Sequence, residues 1–481
     1  MFHCRFAARG GYGGEPASPI CRAMIAFIVA VMIAAIHTRT ACALTVATAT
    51  ATVAEFDADA QQVAIANLQR YLQLDTAQPS PAYASALTLL TQLCFGVPNM
   101  KTQVSSFVRG KPVLVCSIAG DDPDAPSVML NSHTDVVAAG NLSSWDFGPF
   151  DAERVPSSRL ADALTGDDHI VARGAQDMKS VGIQYLEALK LLYRQHPKRT
   201  FRRTIHVVFV PDEEIGGADG MGNFVESEWF QRMNVGVSCD EGIASPTDEF
   251  ELFLAERRPF WTRISVQDVP GHGAMVPKST ATLTLTQILA NVATYRKRIA
   301  AEIASGEKDL GEIVSVNINH VSAGQAHAIN VIPEHAVALL DIRVPPFVSA
   351  QQVEELIASW MPCAGCGIDV SFLYRVENGE QTSLDEDENP WAAVFKEATS
   401  DLKLRRPSVF FGATDGRYLR AKKIPVFGFS PMRNTPVLLH KFNEHLSTHV
   451  FLEGITVYSR IIATLANAPV LLHETVEKLE L

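Results

Sequence analysis

The sequence predicts an α/β protein in which a mixed-sheet domain is interrupted by an inserted α+β unit. Apolar runs of strand length, such as 128–130 and 204–210, stop abruptly at polar residues, as buried strands do in α/β folds. Helical stretches with one apolar face separate them. Between 255 and 374 the rhythm becomes β-α-β-β-α-β, the order of a compact ferredoxin-like unit of about 120 residues.

The chain has 481 residues, 47% of them hydrophobic and 20% charged, enough for a large core and about two domains. A formal charge of −12 argues against a nucleic-acid partner, because phosphate binding needs clustered Lys and Arg. At the amino terminus Arg5, Arg9 and Arg22 precede an uncharged apolar run at 23–36, and Ala41-Cys42-Ala43 follows. This is the layout of a signal peptide over 1–43, which directs the protein to the secretory pathway or outside the cell. The alternatives are an uncleaved anchor in a membrane, or a start at Met24 or Met32 that leaves the protein cytoplasmic. A Thr/Ala-rich lead-in at 44–53 comes next.

Apolar spacing then predicts helices at 56–74 and 81–95 in the first part of the mixed-sheet domain, 55–254. The strand beginning at Val128 ends in Asn131-Ser-His133-Thr-Asp135, with an imidazole and a carboxylate two positions apart at the strand end, where α/β sheets bind ligands. The loop carrying Trp145, Phe147 and Phe150 either walls a pocket or covers the sheet edge. Asp177 stands just before a helix that ends near Pro197, as an N-cap or as a metal ligand. The strand at 204–210 runs into Asp212-Glu213-Glu214, three acids that repel one another unless a cation is present. On extended chain, adjacent Glu213 and Glu214 point apart and can take different roles. The next strand, 235–239, ends in Asp240-Glu241.

In the insert, strands are expected at 262–266, 313–321, 336–344 and 368–374, with helices at 279–303 and 351–360. The second part of the mixed-sheet domain, 375–470, has a helix at 391–399, a strand at 426–429 and a last helix at 448–465. It supplies His440 and Glu444; His445 and His449 are expected on the outer face of a helix. Cys94, Cys116, Cys239, Cys363 and Cys366 are too few for a disulfide framework. Cys363-Ala-Gly-Cys366 reads as a turn with incidental thiols, the alternative being a disulfide that an exported chain could close. Asn141-Leu-Ser143 is a glycosylation sequon.

NSHTDVV at 131–137, RGAQDMK at 173–179, PDEEIGG at 211–217, DEG at 240–242 and GFSPMRNTPVLLH at 428–440 together resemble the M20 family of co-catalytic zinc hydrolases, and within it the aminoacylases. The resemblance spans about 56–465. It implies two Zn²⁺ per subunit, with His133 and Glu241 on one, Glu214 and His440 on the other, and Asp177 bridging. Asp135 would support His133, and Glu213 would be the general base. His272 resembles a lid histidine that reaches the active site of the partner subunit in a homodimer formed through the insert. The Gly273-Ala-Met that follows it departs from the family's pattern. Asn330 and Arg343 resemble lid residues that hold the carboxylate side of the substrate, and Thr414, Asp415 and Arg417 lie in a loop resembling one that lines the amino-acid pocket.

Two imidazoles and three carboxylates leave about one positive charge on two Zn²⁺, enough to acidify water. Hydrolysis of N-acyl-L-amino acids is the expected reaction. The alternatives are a dipeptidase, a carboxypeptidase or an N-acyl-amino-acid synthase/hydrolase, then a non-catalytic binding protein or a redox protein using Cys363 and Cys366.

Overall fold

The computed structural model describes residues 56–471 apart from residue 364; the expected signal segment and lead-in lie outside them. Helix α1 (Ala58–Leu72) begins where the Asp57 carboxylate accepts the Ala60 N–H, and α2 (Tyr83–Phe95) follows. Strands β1 (Lys101–Val108) and β2 (Lys111–Ile118) form a hairpin that the sequence reading did not anticipate. β1 is largely exposed at the sheet edge and carries no burial pattern to read. β3 (Ser127–His133) continues through the polar residues to His133 and is buried throughout. Short strands β4 (Glu153–Pro156) and β5 (Asp168–Val171) precede α3 (Lys179–Gln195), which is buried on nearly every side. α3 lies so close to the sheet that a Cβ on Gly182 would sit 2.8 Å from the Ser132 hydroxyl.

β6 (Ile205–Val210) and β7 (Val235–Asp240) complete the first part, and β8 (Phe253–Glu256) leads out of it. Next come β9 (Arg258–Gln267), β10 (Gly271–His272), α4 (Ala281–Ala304), β11 (Ser315–Ala323), β12 (Val331–Ile332), β13 (His335–Val344), α5 (Ala350–Ser359) and β14 (Ile368–Arg375). The chain finishes with α6 (Pro390–Ala398), β15 (Ser408–Phe410), α7 (Gly416–Ala421), β16 (Val426–Gly428), β17 (His445–Ser447) and α8 (Thr448–Ala466).

The main sheet has eight strands in the order β1-β2-β6-β3-β7-β16-β8-β15. Its centre, β6-β3-β7-β16, is parallel, while the hairpin and the β16–β8 pair are antiparallel. One core, with α1, α3, α6 and α8, covers one face; a second, with Met221, Phe224 and Leu419, covers the other. The carboxyl ends of β3, β6 and β7 therefore open side by side, each leading into acids or an imidazole.

β11-β13-β9-β14 form a separate antiparallel sheet with its own core against α4 and α5. From Phe260 onward β9 alternates: Phe260, Thr262 and Ile264 are buried beneath the helices, while Trp261 and Arg263 face away.

Two cysteine readings change. Cys94 on α2 and Cys116 on β2 are joined in a disulfide, a pairing that depends on how α2 packs against the hairpin; Cys363 and Cys366 close as a second. Trp145 and Phe147 cover the small β17-β5-β4 sheet and its neighbours: Trp145 packs edge-on against Phe442, and Phe147 lies in a cluster with Val155 and Val171. His445 is not on an outer helix face but buried in β17, its Nδ1 2.8 Å from the Asn443 carbonyl; His449 is exposed at the start of α8. Among the described residues no helix is long and apolar enough to cross a membrane.

Candidate metal centre and active site

The Asp177 carboxylate divides between two imidazoles. One oxygen lies 3.0 Å from His133 Nε2 and the other 3.2 Å from His440 Nε2. Glu241 approaches His133 Nε2 at 3.6 Å and Glu214 approaches His440 Nε2 at 3.3 Å. Two groups result, His133–Asp177–Glu241 and Asp177–Glu214–His440, in each of which the donor atoms lie within 4.8 Å of one another. The helix that follows Asp177 has no side-chain cap, so the N-cap explanation fails.

This donor set suits divalent metal ions. Three desolvated carboxylates around two imidazoles are costly without added positive charge. Burial and the Asp177 carboxylate push Glu214 up to about 7, and burial and Asp177 hold Glu241 well above the usual carboxylate range. Asp177 goes the other way: burial would raise it, but His133 and His440 draw it below the ordinary range. Hydrogen bonds to Asp177 and Glu214 push His440 up to about 10. Each site holds nitrogen and oxygen donors, and in each one donor, His133 or Glu214, has its other atom held by a backbone group.

Those supports come from distant segments. His133 Nδ1 lies 2.9 Å from the backbone carbonyl of Asp135, while the Asp135 carboxylate is 3.8 Å from it. That carboxylate instead accepts the N–H groups of Glu213 and Glu214, both at 3.2 Å, and the Gln78 amide at 2.9 Å. Asp240 lies outside both groups; it accepts the Glu241 N–H at 2.9 Å and the Asn131 amide at 3.0 Å, and so positions Glu241. Glu444 accepts the N–H groups of Gly174, Gln176 and Asp177.

Glu213 and Glu214 are not on extended chain. Asp212 takes a left-handed φ of 68° and a single 3₁₀ turn, Glu213–Ile215, follows. Tyr83 donates to Asp212 at 2.6 Å and Lys111 pairs with it at 2.5 Å, which holds this unfavourable backbone in place. Glu214 turns to His440, and its other oxygen accepts the Val137 N–H at 3.1 Å. The Glu213 carboxylate accepts no hydrogen bond from the described residues and lines the cavity, where burial and Glu241 keep its pKa well above the usual range.

The cavity has a volume of about 820 Å³. Asp177, Glu213, Glu214, Glu241 and His440 form its polar end, and Arg343 and Arg417 also line it. Arg343 is held in a two-pronged pair by Asp341; Arg417 donates to the Gly216 carbonyl at 2.6 Å. Thr414 and Asp415 do not line the cavity, because their loop turns both inward. Thr414 bonds to Glu256, and the buried Asp415 carboxylate lies against Gly217, where a Cβ would come within 2.3 Å of it. His272, on β10, and Asn330, just before β12, sit together and exposed at the two-stranded β10–β12 sheet and do not line this chain's own cavity; the Gly273 N–H donates to the Asn330 carbonyl at 2.7 Å.

The sequence reading missed Gln78, Tyr83, Lys111 and Asn131, which are ordinary polar residues until folding delivers them to the site. It also missed Trp261, Tyr374, Phe410 and Phe411, which line the same cavity as the acids.

Comparison with known proteins agrees with this architecture. The solved structure of an M20 family metallo-carboxypeptidase from Sulfolobus solfataricus superimposes with a TM-score of 0.60 at 16% identity, over 84% of this chain and 99% of that one. Aminoacylase-1A of Rattus norvegicus is 38% identical over 86% of this chain and 98% of its own length, and aminoacylase-1 of Homo sapiens is 37% identical over the same shares. N-fatty-acyl-amino acid synthase/hydrolase PM20D1.1 of Danio rerio is 22% identical over 72% of this chain and 74% of its own. Residues 129–464 match peptidase family M20/M25/M40, and the chain belongs to that family.

Proposed function

We propose that the protein hydrolyses N-acyl-L-amino acids to a carboxylate and a free L-amino acid, using two Zn²⁺ per subunit. The observation that carries this is the single Asp177 carboxylate shared between two imidazole–glutamate pairs. Bound zinc supplies Lewis acidity to the amide carbonyl and lowers the pKa of nearby water. His133 with Glu241 would hold one ion, His440 with Glu214 the other, and Asp177 both. Glu213 would take a proton from the attacking water on its carboxylate and return it to the leaving amine nitrogen. Asp135 acts through the backbone, by fixing the turn that aims Glu213. Arg343 and Arg417 offer positive charge to the substrate carboxylate. The test is metal analysis of the purified protein together with amino-acid release from N-acetyl-methionine and from dipeptides. Two zinc ions and release from the acyl amino acid support the reading; release from dipeptides alone overturns it.

Pairing of two copies through the four-stranded unit goes with this reading. Around the two-stranded β10–β12 sheet Val276 is 96% exposed and Ile329 90%, with Val269 and Met275 also exposed, an apolar patch that a second copy would cover. Such pairing would let His272 and Asn330 serve the partner's cavity. Export is supported by the apolar run at 23–36 and by the two disulfides, which persist in oxidising compartments. Mass analysis of the mature amino terminus tests it.

A further inference from the structure

The cavity that the metal-binding acids line is also lined by aromatic side chains. Trp261 and Tyr374 are register partners on β9 and β14, with ring centroids 5.3 Å apart. They stand on the sheet face that α4 and α5 leave uncovered, and they are 45% and 46% exposed. Phe410 and Phe411, at the end of β15, line the same cavity with centroids 4.7 Å apart. Four aromatic side chains from two separate sheets thus border one space of about 820 Å³, near the upper end of the roughly 300–1,000 Å³ usual for small-molecule sites. Rings exposed on a concave wall beside a polar reaction centre are suited to covering an apolar group of the ligand.

We infer that this shelf selects substrates carrying a bulky apolar group, a medium-chain or aromatic substituent, over those with only small groups. The inference rests on the N-acyl-amino-acid reading and narrows it. The substituent can belong to the acyl group or to the amino-acid side chain, and both present the same surface to the shelf.

The experiment measures kcat/KM of the full-length zinc-loaded enzyme on N-acetyl-alanine, N-octanoyl-alanine and N-acetyl-phenylalanine. The expected result is at least about a tenfold preference for one bulky substrate over N-acetyl-alanine. Which one leads identifies the source of the group. Trp261→Ala should lower kcat/KM on the preferred substrate about tenfold more than on N-acetyl-alanine, mainly through KM, and Trp261→Phe should restore most of it. Tyr374→Ala, with zinc content checked, gives a second reading if Trp261→Ala folds poorly. A flat substrate profile, or equal losses on small and bulky substrates in both alanine variants, overturns the inference and leaves the N-acyl-amino-acid reading standing. Hydrolysis of none of the three removes that reading and the inference with it.

Discussion

Glu444 and Arg173, 271 residues apart in sequence, form an ion pair at 2.7 Å that is closed to solvent. The same carboxylate accepts three N–H groups of the loop that presents Asp177, so the bridging position of Asp177 is set by a residue four places beyond His440. Glu444→Gln preserves volume but removes the charge and leaves Arg173 as a buried cation without its partner. The expected loss is about 3–5 kcal/mol of unfolding free energy in urea. Metal affinity should fall roughly 10–100-fold in a competitive chelator titration, because Asp177 loses an anchor. Unaltered stability and affinity would mean that the loop holds itself.

Glu213 and Glu214 are neighbours with different surroundings, and substitution should separate them. Glu213 belongs to neither metal-binding group, so Glu213→Gln should reduce kcat by roughly 10²–10⁴-fold while zinc content stays at the wild-type value. Glu214→Gln removes a donor beside His440 and should lower both activity and zinc content. Activity surviving in Glu213→Gln would rule out its part in proton transfer.

Much of this centre is legible along the chain. Strands β3, β6 and β7 announce themselves because central parallel strands are buried on both faces and read as unbroken apolar runs. Acids placed directly after such runs have few structural uses, which is why Glu214, Glu241 and His133 stand out as ligand-type residues. The supports are not legible. Gln78 and Tyr83 meet Asp135 and Asp212 only after α2 packs, and the 3₁₀ turn at Glu213 follows from a left-handed Asp212 that Tyr83 and Lys111 hold. β1 is missed because an exposed edge strand has no buried face, and His445 because its burial depends on pairing with β5. The disulfide between Cys94 and Cys116 is likewise a product of tertiary packing.

The segments around His272 and Asn330 leave Val276 and Ile329 exposed, so the pairing of two copies is open to a direct test. Val276→Asp and Ile329→Asp should shift the protein to monomer in sedimentation velocity and reduce turnover with it. His272→Ala should lower kcat about 100-fold, the scale of losing one donor to a developing oxyanion. Hybrid dimers offer the sharper measurement. A subunit with His272→Ala retains Glu213, and one with Glu213→Gln retains His272, so mixing two inactive proteins should restore activity in the hybrid. Absence of rescue in a verified hybrid would show that His272 does not act across the interface.

Away from the metal centre, His206 on β6 sets a pH limit on stability. It is buried, with Nδ1 2.7 Å from the Ser117 hydroxyl, and burial pushes its pKa down to about 4. In the unfolded chain it takes up a proton near pH 6.5; in the fold it resists until about pH 4. Between those values the unfolded state binds more protons, so stability falls as pH falls through this window. Its contribution is intact above about pH 6.5 and lost below about pH 4, a difference of roughly 3 kcal/mol. Urea midpoints of the wild type at pH 7 and 4.5 should therefore diverge more than those of His206→Gln, whatever that substitution costs at neutral pH. Equal pH dependence in the two proteins would place the acid sensitivity on other groups and leave His206 a neutral packing residue.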